Sequence, residues 1–231
     1  MLPRRSLSAP LAAPLAAPLL IIAALALTGC DDDCEFNDVD VPGKDANPDG
    51  VPYPAGPYGI GPRQGSVAGD IVPNFVFRGY RNGNTGGDPV TLSLADLYDP
   101  TGQRNVVIHL MAAAMWCPVC TKQTDAMVQA HGTLKSEGAT IVQSIIMGPD
   151  RDVPPDRCDL VDWITERGAP FTVVLDVDAR RLTTVTTLSA VPFNALIDAR
   201  TMEVLQSGEG APVDYTAYVR TALDWVAANP R

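Results

Sequence analysis

The chain has 231 residues, of which 46% are apolar and 19% charged, and its formal net charge is −10. This is the composition of a globular protein and excludes a chain that is disordered throughout. The acidic excess argues against nucleic-acid binding, because no basic field is present to contact phosphates.

Residues 1–29 are predicted to be a signal peptide and not part of the fold. Arg4 and Arg5 precede an apolar run that reaches Leu27, and "LTGC" closes the segment at Cys30. This ending resembles the bacterial lipobox, in which the cysteine receives a lipid and becomes the new N-terminus. We therefore expect Cys30 to anchor the chain in the cell envelope, facing the periplasm, with the choice of inner or outer membrane left open. The alternative is an ordinary signal peptide with a chance cysteine.

Residues 30–65 are predicted to form a tether between the membrane and the folded part. The segment is rich in Asp, Pro and Gly and has almost no periodic apolar pattern. Such a composition buries too little surface to offset the entropy of ordering, and its prolines favour an extended spacer.

From Ser66 onward, strand patterns alternate with helix patterns in a predicted domain that spans residues 66–231. Continuous apolar runs predict buried strands, and three- to four-residue spacing predicts helices. The predicted elements are strands at 74–77, 90–98 (running into a helical turn), 105–113, 139–147 and 171–176, a strand pair at 193–198 and 202–208, and helices from Cys117 to about Glu137, at 158–168 and at 213–228. This order predicts one α/β domain in which a strand–helix–strand–helix–strand part has parallel strands and is followed by a β-hairpin and a last helix.

The motif "WCPVC" at 116–120 lies where a buried strand gives way to a helix. A helix N-terminus offers unpaired N–H groups that favour a thiolate, which is the attacking form of cysteine. We expect Cys117 to be the exposed nucleophile and Cys120 the deeper, resolving thiol. Pro118 suits a first turn that needs no N–H from it, and Trp116 is expected to shield one side of the sulfur.

Two other interpretations of the cysteine pair are a structural zinc site and an inert disulfide. Zinc would need a second Cys or His pair at matching spacing, and none is present, so no metal is predicted. Cys34 and Cys158 remain, and an exported location permits disulfides. Both outcomes stay open for them: a bridge that pins the tether to the domain, or two free thiols.

Together with the distant Val191-Pro192 before an "LID" strand, "WCPVC" resembles the thioredoxin superfamily. The stretches "GDIVPNFVF", "VTLSLADL" and "NVVIHLMAAAMWCPVC" resemble the TlpA/ResA-like, membrane-tethered thiol-disulfide oxidoreductases related to the peroxiredoxins (AhpC/TSA). The resemblance covers roughly residues 66–228. It implies a thioredoxin-like fold: a central mixed sheet flanked by helices, with an N-terminal β-hairpin extension and an inserted strand–helix unit at 139–168.

The resemblance also implies a site and an activity. Val191 and Pro192, with a cis bond between them, would line a substrate groove together with Trp116 and Pro118. The implied function is an extracytoplasmic protein-disulfide reductase that needs no cofactor. Its partners would be protein thiols or disulfides and a membrane-bound electron donor or acceptor.

One departure leaves the direction of electron flow open. Met111 stands five residues before Trp116, where thioredoxin has a buried acid, so the usual base for Cys120 is missing. A DsbA-like oxidase is one alternative, although no large helical insertion is visible. A non-catalytic, Cu(I)-binding lipoprotein on the same scaffold is another, since CxxC thiolates suit that ion.

Overall fold

The structure is a computed structural model that describes residues 34–35, 42–54 and 64–230. The predicted signal peptide and the predicted lipid-bearing Cys30 lie outside the described residues. All described residues fall within one unit, Asp31–Arg231. Within them, no helix has both the length and the apolar character needed to cross a membrane.

The described chain forms one sheet and three α-helices. The strands are β1 (Val76–Tyr80), β2 (Val90–Ser93), β3 (Val107–Ala114), β4 (Ala139–Met147), β5 (Thr172–Leu175), β6 (Phe193–Asp198) and β7 (Glu203–Glu209). The helices are α1 (Pro118–Ser136), α2 (Arg157–Arg167) and α3 (Tyr215–Ala228).

The seven strands lie in the order β2-β1-β5-β4-β3-β6-β7. Strand β4 is parallel to both of its neighbours, β3 and β5, whereas the other strand pairs are antiparallel. The predicted mixed α/β fold is confirmed: β1 and β2 form the N-terminal hairpin, and β4 with α2 is the predicted strand–helix unit. Predicted and observed element ends differ by no more than three residues, except that β2 ends at Ser93 and a short 3-10 turn at Leu94–Asp96 follows it within the predicted segment 90–98.

Strand β3 explains the two layers of the core. All eight of its residues are buried, and successive side chains point to opposite faces of the sheet. Met111 belongs to the apolar cluster that includes Met127 of α1, Trp163 of α2 and Val219 of α3. The next residue towards the N-terminus, Leu110, belongs to the second cluster, which holds side chains from the N-terminal segments. The three helices therefore cover one face.

Part of the predicted tether is folded onto the domain, so the expectation of an extended spacer is wrong for residues 42–54. The Asn47 side chain donates to the carbonyl of Tyr98 (3.2 Å) and accepts from the Val51 N–H (2.8 Å). The Tyr53 hydroxyl donates to the carbonyl of Val72 (2.8 Å), and its ring packs in the second cluster. The buried side chains of Asn47 and Tyr53 thus hold this segment on the domain, which the average composition of the segment does not indicate.

Candidate active site

Cys117 sits at the junction between β3 and α1 and is the N-cap residue of that helix. Its Sγ accepts a hydrogen bond from the Cys120 N–H (3.2 Å), the bond that a capping oxygen would otherwise take. Pro118 is the first helical residue, where no N–H is needed. The local sequence thus directs the positive end of the helix dipole at this sulfur.

Cys117 is less exposed than the sequence predicts. Cys117 is only 5% exposed, and Cys120 is fully buried. Trp116 and Val191 pack against the apolar cluster to which Cys117 belongs, and the Val191 carbonyl lies 3.7 Å from the Cys117 sulfur. Cys117 remains the more accessible of the two thiols, as an attacking group must be.

The loop that carries Val191 and Pro192 lies against Cys117, although 74 residues separate Val191 from it. The Cys117 thiol donates to the carbonyl of Val191, with 3.7 Å between sulfur and oxygen. The Val191–Pro192 bond is cis. The structure thus brings together four of the residues that the sequence singles out: Cys117, Cys120, Val191 and Pro192.

The end of β7 holds this loop in place, a feature that the sequence analysis missed. The Glu209 carboxylate accepts from the Ser189 N–H (2.6 Å) and from the Ser189 hydroxyl (2.7 Å). These donors, with the Ala190 N–H, keep the pKa of Glu209 below its usual value. The Gly210 N–H donates to the carbonyl of Pro192 (2.7 Å). Glu209 lies 20 residues after Ser189 and belongs to no local motif, so the sequence alone does not indicate that it binds this loop.

Cys120 is held as a neutral thiol. Burial, followed by the hydrogen bond with Cys117, raises the pKa of Cys120 well above its usual value. Its carbonyl accepts from the Thr124 hydroxyl (2.9 Å), which fixes the first turn of α1. A thiol of this kind suits the second step of an exchange reaction and not the first attack.

Amide side chains flank Met111, which occupies the place of the missing acid. In the sheet, Met111 pairs with Gln143 of β4 on one side and with Asn194 of β6 on the other. The Gln143 side chain donates to the Thr124 hydroxyl oxygen (2.6 Å) and accepts from the Trp163 indole N–H (3.0 Å). A chain of uncharged hydrogen-bonding groups therefore links Trp163 of α2, Gln143 of β4 and Thr124 in the part of α1 that bears Cys120.

A second buried group contains His109, whose ring nitrogens both have partners. Nε2 lies 2.9 Å from Asn194 Oδ1, and Nδ1 lies 3.0 Å from the Tyr215 hydroxyl. The tautomer that satisfies both bonds carries its proton on Nε2. Burial lowers the pKa of His109 to about 4. His109 is thus a neutral core residue near physiological pH.

Trp116 forms one wall beside the dithiol. The Arg151 guanidinium lies 3.6 Å from its ring centroid, a close cation–π contact. Its indole Nε1 is buried and has no hydrogen-bond partner among the described residues. Arg151 comes from the loop after β4, and no sequence pattern linked it to the motif.

The two remaining cysteines are joined. Cys34 and Cys158 form a disulfide across 124 residues of sequence, and the carbonyl of Cys34 accepts from the Arg157 N–H (3.1 Å). Cys117 and Cys120 are both free thiols. Among residues 34–35, 42–54 and 64–230, no group of three or more His, Cys, Asp or Glu side chains is placed to hold a metal ion.

Comparison with known proteins gives one family and a common fold. The AhpC/TSA family model matches residues 68–201. A provisionally assigned thiol:disulfide interchange protein DsbE of Chlorobium tepidum superposes with a TM-score of 0.51 at 23% identity, over 69% of this chain and 96% of its own. A secreted thiol-disulfide isomerase of Corynebacterium glutamicum gives 0.50 at 18% identity, over 68% and 86%. No curated protein sequence matches. At these identities the likeness establishes the thioredoxin-like fold.

Proposed function

Because this chain belongs to the AhpC/TSA family within the thioredoxin superfamily, we propose that it is an extracytoplasmic thiol-disulfide oxidoreductase that reduces protein disulfides. The observation that carries the proposal is the environment of Cys117 Sγ. The sulfur caps α1, receives the Cys120 N–H and faces the carbonyl of Val191. These contacts support Cys117 as the nucleophile, Cys120 as its resolving thiol and the Val191 carbonyl as a backbone group that faces the substrate.

In the proposed reaction, the Cys117 thiolate attacks one sulfur of a substrate disulfide. A bond forms between Cys117 and the substrate, and the other substrate sulfur leaves as a thiolate. Cys120 then loses its proton and attacks Cys117 Sγ, which releases the second substrate thiolate. The protein ends with a Cys117–Cys120 disulfide, and the substrate has gained two electrons and two protons. The raised pKa of Cys120 favours this order of attack.

We take the reductive direction from the resemblance to the TlpA/ResA-like proteins. A membrane-bound dithiol donor would then regenerate the reduced pair by the reverse exchange. The DsbA-like oxidase remains the alternative function, and it would run the same steps in the opposite direction. The amide surroundings of Met111 supply no charged base, so Cys120 would give its proton to the departing substrate thiolate or to water.

We place the reaction outside the cytoplasm, with the chain anchored through a lipid on Cys30. The "LTGC" ending supports the anchor, and the Cys34–Cys158 disulfide supports an oxidising compartment. The C. glutamicum protein of similar fold is a secreted one.

Trapping of mixed disulfides tests the proposal. With Cys120→Ser, we expect a stable mixed disulfide between Cys117 and an oxidised protein such as insulin, because the resolving thiol is gone. With Cys117→Ser, we expect no adduct and no insulin reduction. The double variant Cys34→Ser/Cys158→Ser is the matched control and should still reduce insulin. Insulin reduction by Cys117→Ser at the wild-type rate would contradict the proposal.

A further inference from the structure

The Cys34–Cys158 disulfide fixes the domain close to the proposed lipid anchor. Cys34 follows Cys30 by only four positions in the sequence. A chain spans at most about 3.6 Å per residue, so four residues reach about 14 Å. The Cα atom of Cys158 lies 5.0 Å beyond that of Cys34. The first turn of α2 is therefore kept within a short distance of the residue that would carry the lipid.

Without this disulfide, the linker between the lipid and the domain would be much longer. Lys44 is a second point at which the N-terminal segment is fixed to the domain, because its N–H donates to Ser93 Oγ (2.7 Å). It follows Cys30 by 14 positions, which corresponds to about 50 Å of extended chain. The single hydrogen bond from the Arg157 N–H to the Cys34 carbonyl does not offset the entropy of ordering the residues around it. The disulfide thus shortens the linker from 14 residues to four.

The start of α2 and the dithiol lie at the same edge of the sheet. Strands β3 and β4 are parallel, and they lead into Cys117 and into α2 respectively. The Met115 N–H donates to the Met147 carbonyl (3.0 Å), which joins the two strand ends. A Cβ atom added to Gly148 would lie 3.5 Å from the Asp159 carboxylate, so the first turn of α2 packs against the end of β4. We call these strand ends and helix starts the dithiol edge.

Charge does not hold the dithiol edge on a membrane. The loop at 148–156 carries Asp150, Asp152 and Asp156 against one cation, Arg151. Anionic lipids attract basic segments, and this loop has the opposite charge balance. A covalent linker can keep such an edge near the bilayer without adsorbing it, which leaves the thiol free to meet a partner.

We infer that the Cys34–Cys158 disulfide keeps the dithiol edge turned towards the bilayer, so that Cys117 reacts with sulfur groups held close to the membrane surface. The inference rests on the lipid anchor and the thiol exchange of the proposed function. It adds the partner class: a membrane-held protein whose reacting disulfide or dithiol lies near the bilayer surface. The local concentration of a linked group falls roughly as the −3/2 power of linker length, so 14 residues in place of four should lower it about sixfold.

A disulfide displayed on vesicles tests the inference. The lipid-bearing Cys120→Ser chain is bound to phosphatidylcholine vesicles that contain a lipid with a pyridyl disulfide on its headgroup. The Cys117 thiolate attacks the headgroup sulfur, a disulfide forms between Cys117 and the lipid, and pyridine-2-thione leaves with the proton and reports the rate. Adding Cys34→Ser and Cys158→Ser should lower this rate about sixfold. Dipyridyl disulfide in solution should react equally fast with both proteins.

A pair of insertions separates linker length from loss of the disulfide. Ten Gly and Ser residues inserted between Asp33 and Cys34 keep the disulfide and lengthen the linker to 14 residues, so the vesicle rate should again fall about sixfold. The matched control carries the same insert between Asn37 and Asp38, beyond the disulfide, and should keep the rate of the Cys120→Ser chain.

The outcomes distinguish this inference from the proposed function. A vesicle rate that stays the same or rises when the linker is lengthened would overturn the inference, because the dithiol edge would then not face the bilayer, while the proposed function would stand. A chain that does not bind vesicles would overturn the lipid anchor. A Cys117 thiol that does not react with the soluble disulfide would overturn the proposed exchange. Either of these two failures would also remove the inference.

Discussion

His109 makes the stability of this fold depend on pH in a way that can be calculated. The side chain is fully buried, and burial lowers its pKa from 6.5 to about 4. Between these two values the unfolded chain binds a proton that the folded chain does not. Folding stability should therefore fall as the pH is lowered from 7 to 4.5.

The size of the effect follows from the two pKa values. Protonation of the unfolded state with a pKa of 6.5, against about 4 in the folded state, removes about 2 kcal/mol between pH 7 and pH 4.5. Native domains are stable by about 5–15 kcal/mol, so this loss is easily measured. His131 also has a lowered pKa, through burial and the Lys135 charge, and acts in the same direction.

Urea unfolding of the wild type and of His109→Gln at both pH values isolates the contribution of His109. The variant keeps His131 and all carboxylates. Any difference between wild type and variant in how the free energy of unfolding changes with pH is therefore due to His109. We expect the wild type to lose about 2 kcal/mol more than the variant does on going from pH 7 to pH 4.5. Equal losses in the two proteins would refute the argument, because they would mean that His109 does not titrate differently in the folded state.

Three further substitutions test the framework of the site. Removal of the Cys34–Cys158 bridge in a double serine variant should lower the free energy of unfolding by about 2–5 kcal/mol, because the bridge closes a long loop; a urea midpoint unchanged from the wild type would contradict this. Thr124→Val should cost about 1–3 kcal/mol in the same assay, since it leaves the buried Gln143 amide with only the weak Met111 Sδ acceptor, at 3.6 Å. Tyr215→Phe should cost a similar amount by removing the partner of the His109 Nδ1 atom, and a neutral result would show that this bond does not contribute.

The sequence predicted the central fold well because its elements have strong local signals. The apolar run of β3 and the helix that follows it fix the position of Cys117 at a helix start. Gly138 and Gly168, with φ values of 96° and 60°, stand just beyond α1 and α2 and mark where those helices end. The relation to the AhpC/TSA family, expected from the motif and the distant Val191-Pro192, is confirmed by the family match.

The features that the sequence could not predict are made by residues far apart in the chain. Glu209 reaches Ser189 across 20 residues, and Gln143 meets Thr124 only because β4 lies beneath α1. The packing of Asn47 and Tyr53 was hidden in a segment whose average composition indicates a spacer. The burial of Cys117 likewise depends on Val191, which a helix-start argument does not include.

The reduction potential of the Cys117–Cys120 pair tests the proposed function most directly. The chain is equilibrated with thiol–disulfide buffers of known potential, and the double serine variant of Cys34 and Cys158 shows that the signal comes from the active-site pair. We expect a reversible two-electron couple near that of thioredoxin, about −270 mV, as a reductase requires. A value near that of DsbA, about −120 mV, would contradict the reductive direction. The absence of any reversible Cys117–Cys120 disulfide would contradict the assignment as a thiol-disulfide oxidoreductase.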